Sequence, residues 1–410
     1  MSTPTRRPGP PRLRRLAVLG AVTAFAMIGL QQALYGPAIP QLRQAHGITA
    51  AGAAAALSVH FAGAIIGVLA MPLARRFGVP DGRFLAWSLL GVAAGALAFP
   101  LAPDWPSALV AAFVAGVGFG GLDGGVNQVF TEVYAERGHG MLNLLHGCFG
   151  AGAVAGPIAV GLLPGYGWSF AGCALLALLA LPALRTLSGP ARPADQTRRA
   201  AGPVTPTARG GPRRRAFPVG TALSLGFLLF FVLHVGLETG AAGWETTHLI
   251  ATGWPAAAAA TATSGFWLAF TAARFAVVPL CRRYSARAIV FACTGLTVLA
   301  ATATLVDPLA PLGYGLLGAA VGPLFPTGLA WLAEHRPGLT PTVVAVSMAG
   351  GIALPPAIGL AVNAFGPAVI AWAMVLLAGA GLGTVLGLAR LRPAGSRPVA
   401  PAVDVDPAQV

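Results

Sequence analysis

Twelve long apolar runs, separated by short polar breaks, organise this chain. The first covers residues 16–34, and others follow at roughly 50–76, 84–103, 106–134, 140–163 and 166–186. After an interruption, six more lie at roughly 218–242, 255–280, 287–306, 309–333, 341–364 and 367–389. Most are near or above the ~20 residues that an α-helix needs to cross a bilayer. The interruption, Leu187 to Arg215, is rich in Pro, Gly, Arg and Thr and lacks aromatics, the composition of a flexible linker. The pattern predicts an all-α polytopic membrane protein of twelve transmembrane helices. They divide into bundles over 16–186 and 217–390, joined by a basic linker at 187–216 and flanked by disordered tails at 1–15 and 391–410.

Composition changes this picture little. Of 410 residues, 56% are hydrophobic and 9% charged, with a mean hydropathy of +0.74. A chain of that make-up cannot cover a soluble globule with polar surface, so the lipid bilayer is its first partner. A net charge of +14 invites a nucleic-acid reading, but the arrangement of the charge argues against it. Arg6, Arg7, Arg12, Arg14 and Arg15 precede the first run. Arg75, Arg76 and Arg83 follow the second, Arg137 the fourth, and Arg185 with the linker arginines the sixth. Arg282, Arg283 and Arg287, then Arg336, then Arg390, Arg392 and Arg397 continue the alternation. Arg43 alone falls in an opposite loop, and Arg274 alone lies well inside a run. By the positive-inside rule, both termini and the linker are expected in the cytoplasm of a cell-membrane protein. The four cysteines show no CxxC or metal-ligand spacing and read as small packing residues. No cofactor is implied.

Chemistry concentrates where polar residues fall inside apolar runs. Asp123 and Asn127, four apart, share a helix face in the stretch Gly116 to Gly161, and Asn143 and His146 share a face in the next run. Asp123 lies about 20 Å from the turn at Glu136 at ~1.5 Å per residue. An intramembrane acid at that depth faces a cavity or a partner. Glu238, read as lying near the outer end of the seventh run, shares a face with His234. Gln31 and Gln32 are candidate hydrogen-bond donors to a polar solute. Asn143 and His146 suit either interhelical bonding or substrate contact, and Trp267 either packing or stacking on a sugar ring. Arg274 is read as gating or structural, Trp244 as an interface anchor, and Gly156-Pro157 as a packing kink.

The two halves echo each other. Pro72-Leu73-Ala74-Arg75-Arg76-Phe77 recurs as Pro279-Leu280-Cys281-Arg282-Arg283-Tyr284, and Gly29-Leu30-Gln31 as Gly236-Leu237-Glu238, both at an offset of 207. Two matches at one offset, near half the length, predict a repeat and a pseudo-symmetric pair of bundles. With twelve helices, a basic central loop and arginine clusters after the second and eighth, the chain resembles the major facilitator superfamily. That family's loop motif G-x-x-x-D-R-x-G-x-R-R is matched here by Arg76 and Gly78, while Met71 replaces the glycine and Arg75 the aspartate. Gly152-x-x-x-Gly156-Pro157-x-x-x-Gly161 resembles the glycine-proline motif of antiporters. LNLLHGCFGAGAVAGP after GLDGGVNQ, and GLETGAAGWETTHLI, resemble the fucose-permease-like sugar symporters and their glucose-transporting relatives. That branch carries a carboxylate in its first helix, where this chain has Gly36 beside Tyr35.

The resemblance implies a monomeric secondary transporter that moves a small, sugar-like solute with a proton or sodium ion. Asp123 and Glu238 then become the candidate coupling acids. The alternative is efflux of an amphipathic compound by proton antiport, which the glycine-proline run suggests. The sequence shows neither a phosphate-binding loop nor a nucleophile–base constellation, so ATP-driven transport and membrane-enzyme readings find no support.

Overall fold

The computed structural model describes residue 13 and residues 15–134, 138–187 and 217–391. The expected tails and linker lie largely outside them. Before the linker come α1 (Arg15–His46), α2 (Ala50–Arg76), α3 (Asp81–Leu101), α4 (Trp105–Tyr134), α5 (Gly138–Leu162) and α6 (Tyr166–Leu184). After it come α7 (Phe217–Ala251), α8 (Ala256–Leu280), α9 (Ala286–Ala303), α10 (Ala310–Val321), α11 (Leu324–His335), α12 (Thr340–Phe365) and α13 (Val369–Arg390). No strand occurs among the described residues. With α10 and α11 taken as one crossing, twelve spans are long and apolar enough to traverse a bilayer. In lipid every backbone polar group must be satisfied internally, and helices do this within a single segment. Large apolar side chains such as Leu69, Leu179, Leu299 and Leu376 point outward, as a lipid-facing belt requires.

Three elements depart from the apolar pattern. Helix α1 runs on past Leu34 to His46, and α7 past Ala242 to Ala251; the end of α7 is buried against neighbours, whereas α1 is anchored through part of its last turns and leaves Gln44 exposed. Gln41, for example, accepts from the Tyr166 N–H at 2.8 Å. The tenth run breaks at Gly322-Pro323. Pro323 and Pro326 both lack the N–H that a continuous helix would donate to the carbonyl four residues back.

Packing repeats between the halves. In the first, α2 and α3 pack on α4, α1 on α5 and α6, and α3 on α6. In the second, α8 and α9 pack on α10, α7 on α12 and α13, and α9 on α13. The glycines that permit these crossings repeat as well. A Cβ on Gly116 or Gly120 would overlap the carbonyl of His60 or Ala64 in α2. A Cβ on Gly318 or Gly322 would overlap that of Phe266 or Phe270 in α8. Close backbone approach through small residues is a favoured way to pack helices where lipid supplies no hydrophobic drive.

The halves meet through α2 on α12, α5 on α8, and α1 on α7. Ser58 of α2 donates to the Ile352 carbonyl of α12 at 2.6 Å, and Ser264 of α8 donates to the Val154 carbonyl of α5 at 2.8 Å. The Asn363 side chain accepts from the Ala50 N–H at 2.9 Å. A Cβ on Gly36 of α1 would overlap the Ala242 carbonyl of α7, and one on Gly359 would crowd Ala51. Ala50, Ala51, Gly36 and Gly359 all lie toward the end opposite the arginine-rich turns. The seam is therefore sealed at its arginine-poor end. Toward the other end no extensive packing joins α4 to α11 among the described residues.

Candidate functional site

A crevice lies where α1, α2, α7 and α8 converge on the seam. Gln32, Gly36, Leu57, Phe61, Thr239, Gly243 and Trp267 line it. In this conformation it has room for little more than one water molecule. Gln32 and Trp267, two of the sequence's binding candidates, come together here. The Trp267 ring is buried against Phe266 and Phe270, yet its Nε1–H finds no acceptor. Gln31, the next residue on α1, is fully buried with neither amide atom bonded. Buried polar atoms are bonded in the great majority of cases, so the orphaned Trp267 N–H in the crevice marks a place for water or a polar solute.

Asp123 and Asn127 are joined as their spacing suggests: Asn127 Nδ2 donates to Asp123 Oδ1 at 3.2 Å. Both are half-buried, and Asn127 Oδ1 is unpaired. Glycines clear the faces of α4 toward α2 and α3, at Gly116 and Gly120 on one side and at Gly118 and Gly121 on the other. Asp123 stands eleven residues before Tyr134, the last of α4, or ~16 Å of helix rise.

Glu238 is not near a helix end. Because α7 continues to Ala251, thirteen residues, or ~20 Å, separate it from that end. The polar stretch from Trp244 to His248 looks like a loop in sequence, but it is helical and buried within the bundle. Trp244 is accordingly no interface anchor: it is fully buried and donates its Nε1–H to the Pro355 carbonyl at 3.0 Å. His234 Nε2 lies 3.6 Å from Glu238 Oε2.

Arg274 organises the surroundings of that pair. Its Nε donates to the Gly322 carbonyl at 3.0 Å, and its guanidinium lies over the Phe270 ring at 4.2 Å. The residue four beyond Gly322 is Pro326, which has no N–H, so that carbonyl lacks a helical donor and Arg274 supplies one. Its charge interacts electrostatically with Glu238 and His234 of α7 and with His146 of α5. Four sequence candidates from three helices and both halves thus form one charged neighbourhood. His146 also meets Phe25 edge to face. The Asn143 side chain lies outside the described residues.

The remaining candidates sit elsewhere. Arg75 Nε and Nη2 bond both carboxylate oxygens of Asp81, at 2.7 and 2.9 Å, while Nη1 bonds Glu132 at 2.7 Å. That clamp fastens the end of α2 to the start of α3 and the end of α4, its neighbours in the same bundle. Gly78 turns the chain with φ +72°, where a side chain would be strained. Arg76, Arg282 and Arg283 lie in the arginine-rich turns. Gly152 and Gly156 let α5 close on Ala26, Leu30 and Ala33 of α1, with Pro157 inside the helix.

Sequence reasoning passed over Glu245, a fully buried acid in α7 whose two oxygens accept no hydrogen bond. Its sequence signal is its spacing from Glu238, seven residues and two helical turns away on one face.

The profile of the Major Facilitator Superfamily matches residues 21–249, more than half of the chain. No curated protein matches. Among solved structures, the nucleoside transporter NupG superposes with a TM-score of 0.69 at 12% identity, covering 92% of this chain and 99% of that one. The D-xylose-proton symporter gives 0.71 at 14%, covering 92% and 98%. A mutant of the peptide transporter POT, in complex with sulfate, gives 0.66 at 14%, covering 91% and 92%. At such identities these likenesses concern the fold.

Proposed function

Because the chain belongs to the major facilitator superfamily, we propose that it is a secondary active transporter that carries a small polar, sugar-like solute by alternating access, coupled to a proton. The carrying observation is the seam crevice, where Gln32, Thr239 and Trp267 converge and the Trp267 Nε1–H has no acceptor. Amide and indole groups suit a hydroxyl-rich solute, since they donate or accept without requiring charge. The Trp267 face suits the apolar side of a sugar ring.

In this reading the arginine-rich end is cytoplasmic, so both termini and the linker face the cytoplasm of the cell membrane and the protein works as a monomer. The conformation described is sealed on the outer side. Asp123, with Asn127 beside it, holds the coupling proton, and the amide can bond either protonation state. Solved folds of this kind include a nucleoside transporter and a proton-driven sugar symporter, and both are compatible with such a cargo. In the glycine-proline stretch of α5, which suggested antiport, Gly152 and Gly156 pack closely on α1 and Gly161 on α8 across the seam.

The test is a panel of sugars, nucleosides and amphipathic drugs, screened for thermal stabilisation of the purified protein. Hits are then assayed in proteoliposomes under an imposed pH gradient. Accumulation of a sugar-like hit with the inward proton gradient is the expected result. Expulsion of an amphipathic hit by the same gradient replaces it with the antiport reading.

A further inference from the structure

The coupling acids considered so far leave one intramembrane carboxylate unused. Glu245 is fully buried, and neither of its oxygens accepts a hydrogen bond. Thr263 of α8 and Tyr314 of α10 stand beside it within interaction range. Thr246, next to it in sequence, bonds Thr263 Oγ1 at 2.9 Å, and the hydroxyl of Thr247 is buried and unpaired. Tyr314 in turn pairs its hydroxyl with His248 Nδ1 at 3.1 Å. The exposed Asp307, in the turn before α10, interacts with His248 from the arginine-poor surface.

These residues follow a pattern along α7. At 3.6 residues per turn, His234, Glu238, Glu245 and His248 fall within about 80° of one helix face and span ~21 Å of rise. The lower pair joins the Arg274 neighbourhood. The upper pair reaches the arginine-poor surface through Tyr314 and Asp307. On elements packed against α7 the other titratable side chains are few. Helix α12 contributes none; α13 has only Arg390, at its far end; α8 has Arg274; α11 has Glu334 and His335, toward the arginine-rich end; α1 has Arg15 at its start, Tyr35, whose hydroxyl lies 3.4 Å from His60 Nδ1, and Arg43 and His46 at its arginine-poor end. No ion pair reaches Glu245 among the described residues, and Arg274 is engaged by the Gly322 carbonyl. A buried carboxylate without a counter-ion is far cheaper as the neutral acid.

We propose that Glu245 is a second proton-binding site. It is loaded from the arginine-poor side by way of Asp307, His248 and Tyr314, and lies on the same face of α7 as Glu238. The ~10 Å of rise between Glu245 and Glu238 exceeds a direct hydrogen bond. Water entering when the seam opens bridges it. The sealed state therefore stores a proton at Glu245, and the open state passes it between that site and the centre of the membrane. The step is a proton transfer between oxygen and nitrogen atoms and needs no co-reactant. This inference rests on the proton-coupled reading above.

The experiment is infrared difference spectroscopy on the full-length protein in liposomes at neutral pH, in light and heavy water. The expected result is a carbonyl band of a protonated carboxylic acid that Glu245→Gln removes and that Asp123→Asn and Glu238→Gln leave in place. Tyr314→Phe, which strips the neighbouring phenol, should shift that band and slow its deuterium exchange. If Glu245→Gln is not recovered folded, the Tyr314→Phe spectrum decides alone, and an unshifted band overturns the proposal. A spectrum that Glu245→Gln leaves unchanged also overturns it, because the side chain is then ionised. A band that sodium abolishes overturns it in favour of a sodium site. Uptake by the parent protein separates the two levels. If no pH gradient drives uptake, the coupled-transport reading fails whatever the spectrum shows. If uptake is driven and Glu245→Gln alters neither uptake nor spectrum, only Glu245 is excluded.

Discussion

The hydroxyl of Ser58 donates to the carbonyl of Ile352 at 2.6 Å, across the line where the two halves meet. That carbonyl is free because the residue four beyond it is Pro356, which has no N–H. A backbone defect in one half is thus completed by a side chain of the other. On the opposite side of the seam, Ser264 bonds the Val154 carbonyl across the same divide. Each bond holds the sealed conformation and is absent once α2 and α12, or α5 and α8, separate. Removing one should cost the sealed state about 1 kcal/mol, or roughly fivefold in population. Ser58→Ala and Ser264→Ala are expected to label faster at a cysteine introduced at Leu57, with little loss of thermal stability. Unchanged labelling in both would mean that the bonds do not favour the sealed form.

Gly36 makes a sharper version of the same test. Its Cα faces the Ala242 carbonyl and Gly243 so closely that any Cβ overlaps them. Gly116 is equally crowded, but against His60 within its own half. Gly36→Val should therefore fold yet fail to seal, since overpacking of ~1–3 kcal/mol shifts a two-state balance about 5–150-fold. Gly116→Val should lower stability instead. Loss of transport with a native melting curve for the first, and a depressed curve for the second, are the measurements to make.

Much of the architecture was legible in the sequence because the bilayer enforces simple rules. Run lengths, arginine alternation and the recurring Pro-Leu-x-Arg-Arg segment pointed to twelve helices and a repeat, and the folded chain has both. The misreadings share one cause: polar residues at run ends were taken for solvent-facing loop. Trp244 to His248 is instead an intramembrane polar cluster in which Trp244, Thr246 and His248 bond α12, α8 and α10 while Glu245 and Thr247 stay unpaired, which no one-dimensional pattern shows. The Asp123–Asn127 pair was readable because its contact is local, four residues along one helix. The Arg274 neighbourhood was not, because its members come from α5, α7 and α8 and share no sequence spacing.

Arg274 itself should be more a fastener than a ligand. Its Nε fills the carbonyl left open at the break between α10 and α11. Arg274→Lys keeps charge near Glu238 but loses the planar fork and the stacking on Phe270. Arg274→Gln loses the charge as well. The first variant is expected to lose about 1 kcal/mol of stability and retain transport, the second about 1–3 kcal/mol. Thermal melts with transport assays on both will separate fastening from coupling. Equal stability across all three proteins would end the fastening role.

Outside the membrane, Asp104 caps α4 by accepting the Ser107 N–H at 2.9 Å. Hydrogen bonds from Ser107 hold this exposed carboxyl below the ordinary carboxylate range. A depressed value means that the folded state prefers the anion. The cap's contribution is therefore present at neutral pH and lost as pH falls through that lowered value. Asp104→Ala should show a slightly lower melting temperature at pH 7 and converge with the parent in acid. A gap that persists undiminished in acid would assign the effect to something other than the ionised cap.

Asp123 lies ~16 Å and Glu238 ~20 Å from the helix ends next to them, so neither has the hydration of a surface carboxylate. Their surroundings differ in kind. Asp123 has the neutral amide of Asn127 as its hydrogen-bond partner, whereas Glu238 faces His234 and the charge of Arg274. A carboxyl beside a neutral partner can gain and lose a proton as the crevice wets and dries. Asp123→Asn should then abolish accumulation driven by a pH gradient and spare exchange of solute at equal concentrations. Glu238→Gln should impair both, because it strips Arg274 of its carboxylate in every conformation. Proteoliposome uptake and counterflow on the two variants make the comparison. If Asp123→Asn still concentrates solute while Glu238→Gln does not, the coupling proton resides at Glu238, and the Asp123–Asn127 pair serves to shape the path.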